Sequence, residues 1–234
     1  MTPGRRRQWP LAAIQPFQLE LPSPLPETPW LDGPALFGND QPFEIEIGCG
    51  KGGFLVGRAL QVPEHNFLGI ELDRGLFHYI ATRLARRQLW HVRILQADAS
   101  RFLAQACRSA CVAHLHVYCP DPWWKRRHHK RRLFTPEFVA NCQRVLAPGG
   151  KLHLASDVAD YFDLMTRLVR DHTALMPMSE EVSVMMAGIG PTNFERKGVA
   201  RGHVMGRATF AKAAPAGSVD LALPGPELGK GGQG

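Results

Sequence analysis

Between residues 43 and 210 the chain alternates short apolar strands with amphipathic helices, and this alternation restricts it to a layered α/β architecture. Phe43, Ile45 and Ile47 alternate with Glu44 and Glu46, a strand that ends at Gly48. A helix is expected from Gly53 towards Leu60. Asn66 to Leu72 reads as a second strand, and the four-residue spacing of Leu72, Leu76, Ile80 and Leu84 marks the helix after it. Val92 to Leu95 and Leu115 to Cys119 are the third and fourth strands. Thr135-Pro136, an N-cap followed by proline at the first helical position, opens a helix whose face is Phe138, Cys142 and Val145. Gly149-Gly150 is expected to end it, and Lys151 to Ala155 to follow as the fifth strand. Val182 to Met186 and Val204 to Phe210 read as two more, close enough in sequence to pair antiparallel. The order predicts a doubly wound, mostly parallel, seven-stranded sheet.

The flanks differ in composition. Nine of the 19 prolines precede Phe43, so residues 1–40 are expected to form an extended basic arm with a short ordered piece around Trp30 to Phe37. Residues 41–211 make the globular domain, and 212–234, rich in Gly and Pro, read as a disordered tail. The net charge is +7, and six cations fall in the eight residues Lys125 to Arg132; without that run the balance is +1. The excess is local, as a polyanion-binding site would be. Five cysteines with no Cys-x-x-Cys pair point to reduced thiols in a cytoplasmic protein, and Cys107, Cys111, His114 and His116 have no zinc-site spacing. No apolar run reaches about 18 residues, so no membrane span is expected.

In a doubly wound sheet, ligands bind beyond the carboxyl ends of the strands, where the strand order reverses. Gly48, Gly50 and Gly53 follow the first strand, and glycines there allow close approach of backbone to ligand. Glu71 ends the second strand about 20 residues on, where a carboxylate accepts ribose hydroxyls. Asp98 follows the third, placed to accept from an adenine amino group. A dinucleotide-dependent dehydrogenase shares the first two features. The discriminating segments are Leu146-Ala147-Pro148-Gly149-Gly150-Lys151-Leu152, which resembles the turn before strand five of class I S-adenosylmethionine methyltransferases, and Glu46-Ile47-Gly48-Cys49-Gly50-Lys51-Gly52, which resembles their glycine motif.

The most specific string is Tyr118-Cys119-Pro120-Asp121-Pro122-Trp123-Trp124-Lys125-Arg126-Arg127-His128-His129-Lys130-Arg131-Arg132-Leu133. It sets a carboxylate at the end of strand four on a proline-stiffened backbone, then aromatics, then a cationic run. For Trp123 and Trp124, packing is favoured over base stacking. This string resembles the tRNA (guanine-N7)-methyltransferase family. So do Ser156-Asp157 with Tyr161, and Thr192-Asn193-Phe194-Glu195-Arg196-Lys197-Gly198 with Gly202-His203 after it. The resemblance covers roughly residues 43–210 and implies S-adenosylmethionine as methyl donor and tRNA as partner, with no metal.

It implies cofactor contacts at Glu46, Gly48, Gly50, Glu71, Asp98 and Asp121, with Asp121 the catalytic candidate. Substrate contacts fall on Lys125, Asp157, Thr192, Asn193, Phe194 and Glu195, and RNA contacts on Arg127, His128, His129, Lys130, Arg131 and Arg132. The chain departs from the family at Asn193, where Lys is usual, and at Met205-Gly206-Arg207, where a Trp-Asp pair is usual, so it reads as a divergent member. Two alternatives remain at this point: an exocyclic-amine methyltransferase, where a short Asp-Pro-Trp motif also occurs, and a tRNA-binding homologue with weakened catalysis.

Overall fold

A computed structural model of the chain describes residues 9–178 and 204–214. Its strands are β1 (Gln18–Leu19), β2 (Phe43–Ile47), β3 (Asn66–Glu71), β4 (Val92–Gln96), β5 (Val112–Tyr118), β6 (Leu146–Ser156), β7 (Met176–Met178) and β8 (Gly206–Ala211). They form one eight-stranded sheet in the order β1-β4-β3-β2-β5-β6-β8-β7. The pairings from β1 to β6 are parallel, and β8 runs antiparallel to both β6 and β7. The expected doubly wound sheet is present, with eight strands among the described residues where seven were foreseen in all.

The helices are α1 (Leu11–Ile14), α2 (Gly33–Phe37), α3 (Gly53–Gln61), α4 (Arg74–Arg87), α5 (Ala99–Gln105), α6 (Pro136–Val145) and α7 (Ala159–His172). Right-handed crossovers put α3 and α4 on one face of the sheet and α5, α6 and α7 on the other. The α5–α7 side holds Phe102, Phe138, Val139, Val145, Met165 and Val169 against Ile45, Leu115 and Leu152. The α3–α4 side holds Leu55, Val56, Ile80 and Leu84 against Phe67 and Ile94. Gly69 of β3 lets α3 come close, since a Cβ there would stand 2.6 Å from Leu55 Cδ2. No helix among the described residues is long and apolar enough to cross a membrane.

The structure departs from the sequence expectations in four places. The arm expected over residues 1–40 is folded from residue 9 onward: β1 pairs with β4 at Ile94 and Leu95, Ile14 and Phe17 are buried, and Leu31 bridges to Cys107. Burial of these scattered apolar residues overrides the proline content. Helix α6 ends at Val145 and β6 begins at Leu146, five residues before the expected strand. Pro148 disfavours helical backbone at Ala147, and Gly149, at φ +77°, donates its N–H to the carbonyl of Lys212 just past β8, whose own N–H returns to the Gly150 carbonyl. Leu72, expected on the buried face of the second helix, is exposed because the helix starts at Arg74, after an Asp73 cap. The partner of β8 is Met176–Met178, whereas Val182 to Met186, expected in that role, lies outside the described residues.

Candidate active site

The sheet order reverses between β2, whose chain moves on to β3, and β5, whose chain moves on to β6. The glycine turn ends β2 on one side of this switch point. The Cys119–Trp123 turn ends β5 on the other. In register, Ile47 lies beside both Ile70 and Val117, so Gly48, Glu71 and Cys119 emerge along one edge.

Gly48, Gly50 and Gly52 all have positive φ, at 71°, 54° and 64°, which side chains rarely adopt. Glu71 fixes this turn. Its Oε2 accepts the Gly50 N–H at 2.8 Å and its Oε1 accepts the Asp73 N–H at 3.0 Å. Each oxygen keeps lone-pair capacity for a hydroxyl donor. Arg83 of α4 adds a hydrogen bond to the Lys51 carbonyl. Beneath the turn, Glu46 is buried, and its Oε2 has no hydrogen-bond partner among the described residues. Burial, opposed by a hydrogen bond from the Leu55 N–H and aided by the Glu71 charge, raises its pKa to about 8. Such a carboxyl is protonated at neutral pH, and a cation placed beside it favours its ionised form.

Asp98 follows β4 on the same edge and caps α5 through the Arg101 N–H at 3.0 Å. A cleft of about 730 Å³ lies beside it, between α5 and the strap Leu21–Pro29, and none of the glycine-turn residues line it.

Asp121 is exposed, between Pro120 and Pro122. Cys119 and Trp123, two residues to either side, both have positive φ, at 48° and 46°. Two such residues cost about 1–3 kcal/mol each, and both bracket the carboxylate. The turn is anchored at one end by the Cys119 N–H bonding to the Ala155 carbonyl at 2.8 Å. Arg132 anchors the other end: its Nε donates to the Pro122 carbonyl at 2.8 Å and its guanidinium lies 5.1 Å from the Tyr161 ring centre. Between these ends, Arg126–Arg131 form a 3₁₀ turn opened by Lys125. Trp123 packs within it, 5.0 Å from the Arg131 guanidinium and edge-on to His128 at 5.8 Å. Lys125, Arg127, His129, Lys130 and Arg131 are exposed. Trp123 therefore packs, as favoured, while Trp124 is 71% exposed and available to a base. Asp157 follows β6 on this edge, and Ser156 Oγ accepts the Val158 N–H ahead of α7. Thr192, Asn193, Phe194 and Glu195 lie outside the described residues.

Sequence reasoning missed a buried polar network on the α3 side of the sheet. Glu44 is fully buried and receives Arg58 through both carboxylate oxygens, at 2.9 and 3.2 Å, together with His65 at 2.6 Å and His116 at 2.9 Å. His116 also bonds the Tyr118 hydroxyl at 3.0 Å, one residue before Cys119. His114 bonds His153, which bonds Thr209. Burial pushes the Glu44 carboxyl up, but hydrogen bonds with His116 and His65 outweigh it and hold the pKa well below the usual range. Burial lowers His114 to about 3 and depresses His116 and His153 as well. The available signal was the two-residue spacing of His114 and His116 opposite Glu44 on a strand buried on both faces.

Comparison with known proteins places this site in a class. A family model described as a putative methyltransferase matches residues 40–208, so the chain is a member of a methyltransferase family. The fold is shared with the 16S rRNA methyltransferase KamB, at TM-score 0.52 and 17% identity, over 76% of this chain and 91% of that one. It is also shared with a Haemonchus contortus phosphoethanolamine N-methyltransferase in complex with S-adenosyl-L-methionine, at TM-score 0.50 and 12% identity, over 76% and 50% of the two chains. Sequence relatives are closer. A tRNA (guanine-N(7)-)-methyltransferase of Alkalilimnicola ehrlichii is 36% identical over 208 residues, covering 87% of this chain and 84% of the relative. One from Rhodopirellula baltica is 41% identical over 158 residues, 65% of this chain and 58% of the relative. The chain belongs to the tRNA (guanine-N7-)-methyltransferase family.

Proposed function

We propose that this protein transfers the methyl group of S-adenosylmethionine to N7 of a guanine in tRNA. One observation carries the reading within this family: the Glu71-clamped glycine turn and the Pro120-Asp121-Pro122 turn face each other across the switch point, and the cationic 3₁₀ turn continues directly from the second.

The residues fit the methyl donor. Glu46 Oε2 is a buried acceptor in need of a partner, and the positive-φ glycines leave backbone accessible at the turn. Glu71 suits the ribose hydroxyls, Gly48 and Gly50 the backbone contacts, and Asp98 the adenine amine. S-adenosylmethionine supplies an electrophilic methyl on a sulfonium. Guanine N7 has an exposed lone pair, so no base need remove a proton before the N7–methyl bond forms and the sulfur–methyl bond breaks. Positive charge moves to the purine, and a nearby carboxylate favours that movement. Asp121 is the candidate for this task. Asp157, Thr192, Asn193, Phe194 and Glu195, together with Lys125, are the candidates to hold guanine. Arg127 to Arg132 engage phosphates, Arg132 being partly committed to Pro122 and Tyr161.

The atom assignment is tested with tRNA carrying 7-deazaguanine at the target position. Near-normal binding without methyl transfer is expected. Transfer to that RNA contradicts the N7 assignment and favours an exocyclic amine.

A further inference from the structure

The charge of this chain is distributed unlike its net value suggests. Residues 74–97 hold five arginines and no Asp or Glu, and residues 1–19 hold three arginines and no Asp or Glu. With these segments and the Lys125–Arg132 run set aside, 14 Lys and Arg face 21 Asp and Glu, so the rest of the chain is net acidic. The near-neutral balance outside the 3₁₀ turn thus conceals a second basic region.

The fold joins residues 9–19 of the first segment to the second, and the three arginines of that segment lie outside the described residues. Helix α1 packs on α4, and Phe17 stacks on Trp90 with ring centres 4.8 Å apart. Tyr79, Arg83, Arg86 and Arg87 are spaced by four, three and one residues, one face of a 3.6-residue helix. Trp90 follows just beyond the helix end. Tyr79, Trp90 and Trp9 are 44%, 58% and 36% exposed, and Arg86 and Arg87 are exposed with them. The guanidinium of Arg86 sits 5.6 Å from the Trp9 ring centre, and that of Arg83 sits 6.0 Å from the Tyr79 ring centre. Arg83 also reaches the Lys51 carbonyl, so the stripe runs up to the glycine turn.

The helix macrodipole accounts for arginines in the last turn of α4. It accounts neither for exposed aromatics between them nor for the absence of acids from both segments. Cations held against aromatic planes, with no competing carboxylate, suit a phosphate backbone with accessible bases or sugars.

We infer that the outer face of α4, with Trp9 and Trp90, is a second RNA-binding surface, holding the tRNA backbone apart from the 3₁₀ turn. The inference rests on tRNA being the substrate. The test compares Arg86→Gln/Arg87→Gln with Arg86→Lys/Arg87→Lys and with Lys130→Gln/Arg131→Gln, measuring affinity for unmodified tRNA against salt and cofactor affinity by calorimetry. The Gln pair on α4 is expected to weaken tRNA binding about five- to tenfold and flatten the salt slope by up to about 0.9 per lost contact, the duplex ceiling. The Lys pair should retain most of the slope, and cofactor affinity should stay unchanged. An unchanged slope in the α4 Gln pair, with a reduced slope in the Lys130/Arg131 pair, overturns the second surface and leaves the function standing. Equal losses in the α4 Gln and Lys pairs also overturn it, since charge would not be the cause. Absence of tRNA binding by the unaltered protein overturns both.

Discussion

Glu71 Oε2 accepts the Gly50 N–H at 2.8 Å, so the acid that ends β3 holds the turn that ends β2. Its other oxygen holds Asp73, the cap of α4. Glu71→Ala is therefore expected to lower both cofactor affinity and fold stability, each by about 1–3 kcal/mol where a buried donor loses its acceptor. Asp98→Ala removes an N-cap, costing about 1 kcal/mol of stability, and a cofactor acceptor. Calorimetry with thermal unfolding reads both effects. Unchanged affinity in both variants would remove these residues from the cofactor site.

Glu46 is expected to make cofactor binding pH-dependent. Its folded pKa, about 8, lies above the ordinary 4.5, so the stability it contributes is full at low pH and declines as pH rises from 4.5 to 8. A sulfonium beside it favours the carboxylate. Binding at pH 7 should then release a proton from this group, and affinity should rise towards pH 8. Calorimetry in two buffers of different ionisation enthalpy measures the release. Glu46→Gln should release correspondingly less, and equal release in both proteins contradicts the assignment.

The histidine network predicts acid sensitivity. His114, His116 and His153 have pKa values depressed below the ordinary 6.5, chiefly by burial. Each contributes stability that is present above 6.5 and lost as pH falls below it, because the unfolded chain binds the proton first. Glu44, with a lowered pKa, acts in the same direction at lower pH. The loss approaches about 1.4 kcal/mol per pH unit for His114 below 6.5, and His116 and His153 act in the same direction. Urea unfolding at successive pH values below neutrality checks this. A flat profile would contradict the depressed values.

How much of this was legible in the sequence depended on the signal each part carries. Apolar patterns located β2 to β5, the body of β6 and the helices α3, α4 and α6, and Thr135-Pro136 marked the start of α6, where Thr135 Oγ1 accepts the Phe138 N–H at 3.1 Å, whereas α5 and α7 were not foreseen. The strand-end residues Glu71, Asp98 and Asp121 were placed by topology, since strand ends in such a sheet share one edge. Ile14 and Phe17 were missed because isolated apolar residues among prolines have no period, whereas Leu31 falls in the short ordered piece expected around Trp30 to Phe37. The Glu44 network was missed because Glu44 and Glu46 read as the wet face of a half-buried strand, whereas β2 is buried on both faces. The α4 stripe was missed because its arginines are spread in sequence and gathered by a helix and a neighbouring segment.

Asp121→Asn is expected to spare the fold, since Pro120 and Pro122 still restrict the turn and Asn is nearly isosteric. It removes the negative charge that we propose lies opposite the sulfonium and the developing methylguanine. Turnover should fall on the order of 100-fold, far more than tRNA affinity changes. Single-turnover methylation at saturating cofactor and tRNA reads this directly. A rate within about threefold of the unaltered protein makes Asp121 structural and moves the role to Asp157 or Glu195.

The central claim concerns one bond, between a transferred methyl and guanine N7. Unmodified tRNA incubated with the protein and isotopically labelled S-adenosylmethionine, digested to nucleosides and resolved by mass spectrometry against standards, measures that bond. Label in 7-methylguanosine is the expected result. Label in a guanosine methylated on its exocyclic amine, or no labelled nucleoside at all, would contradict it.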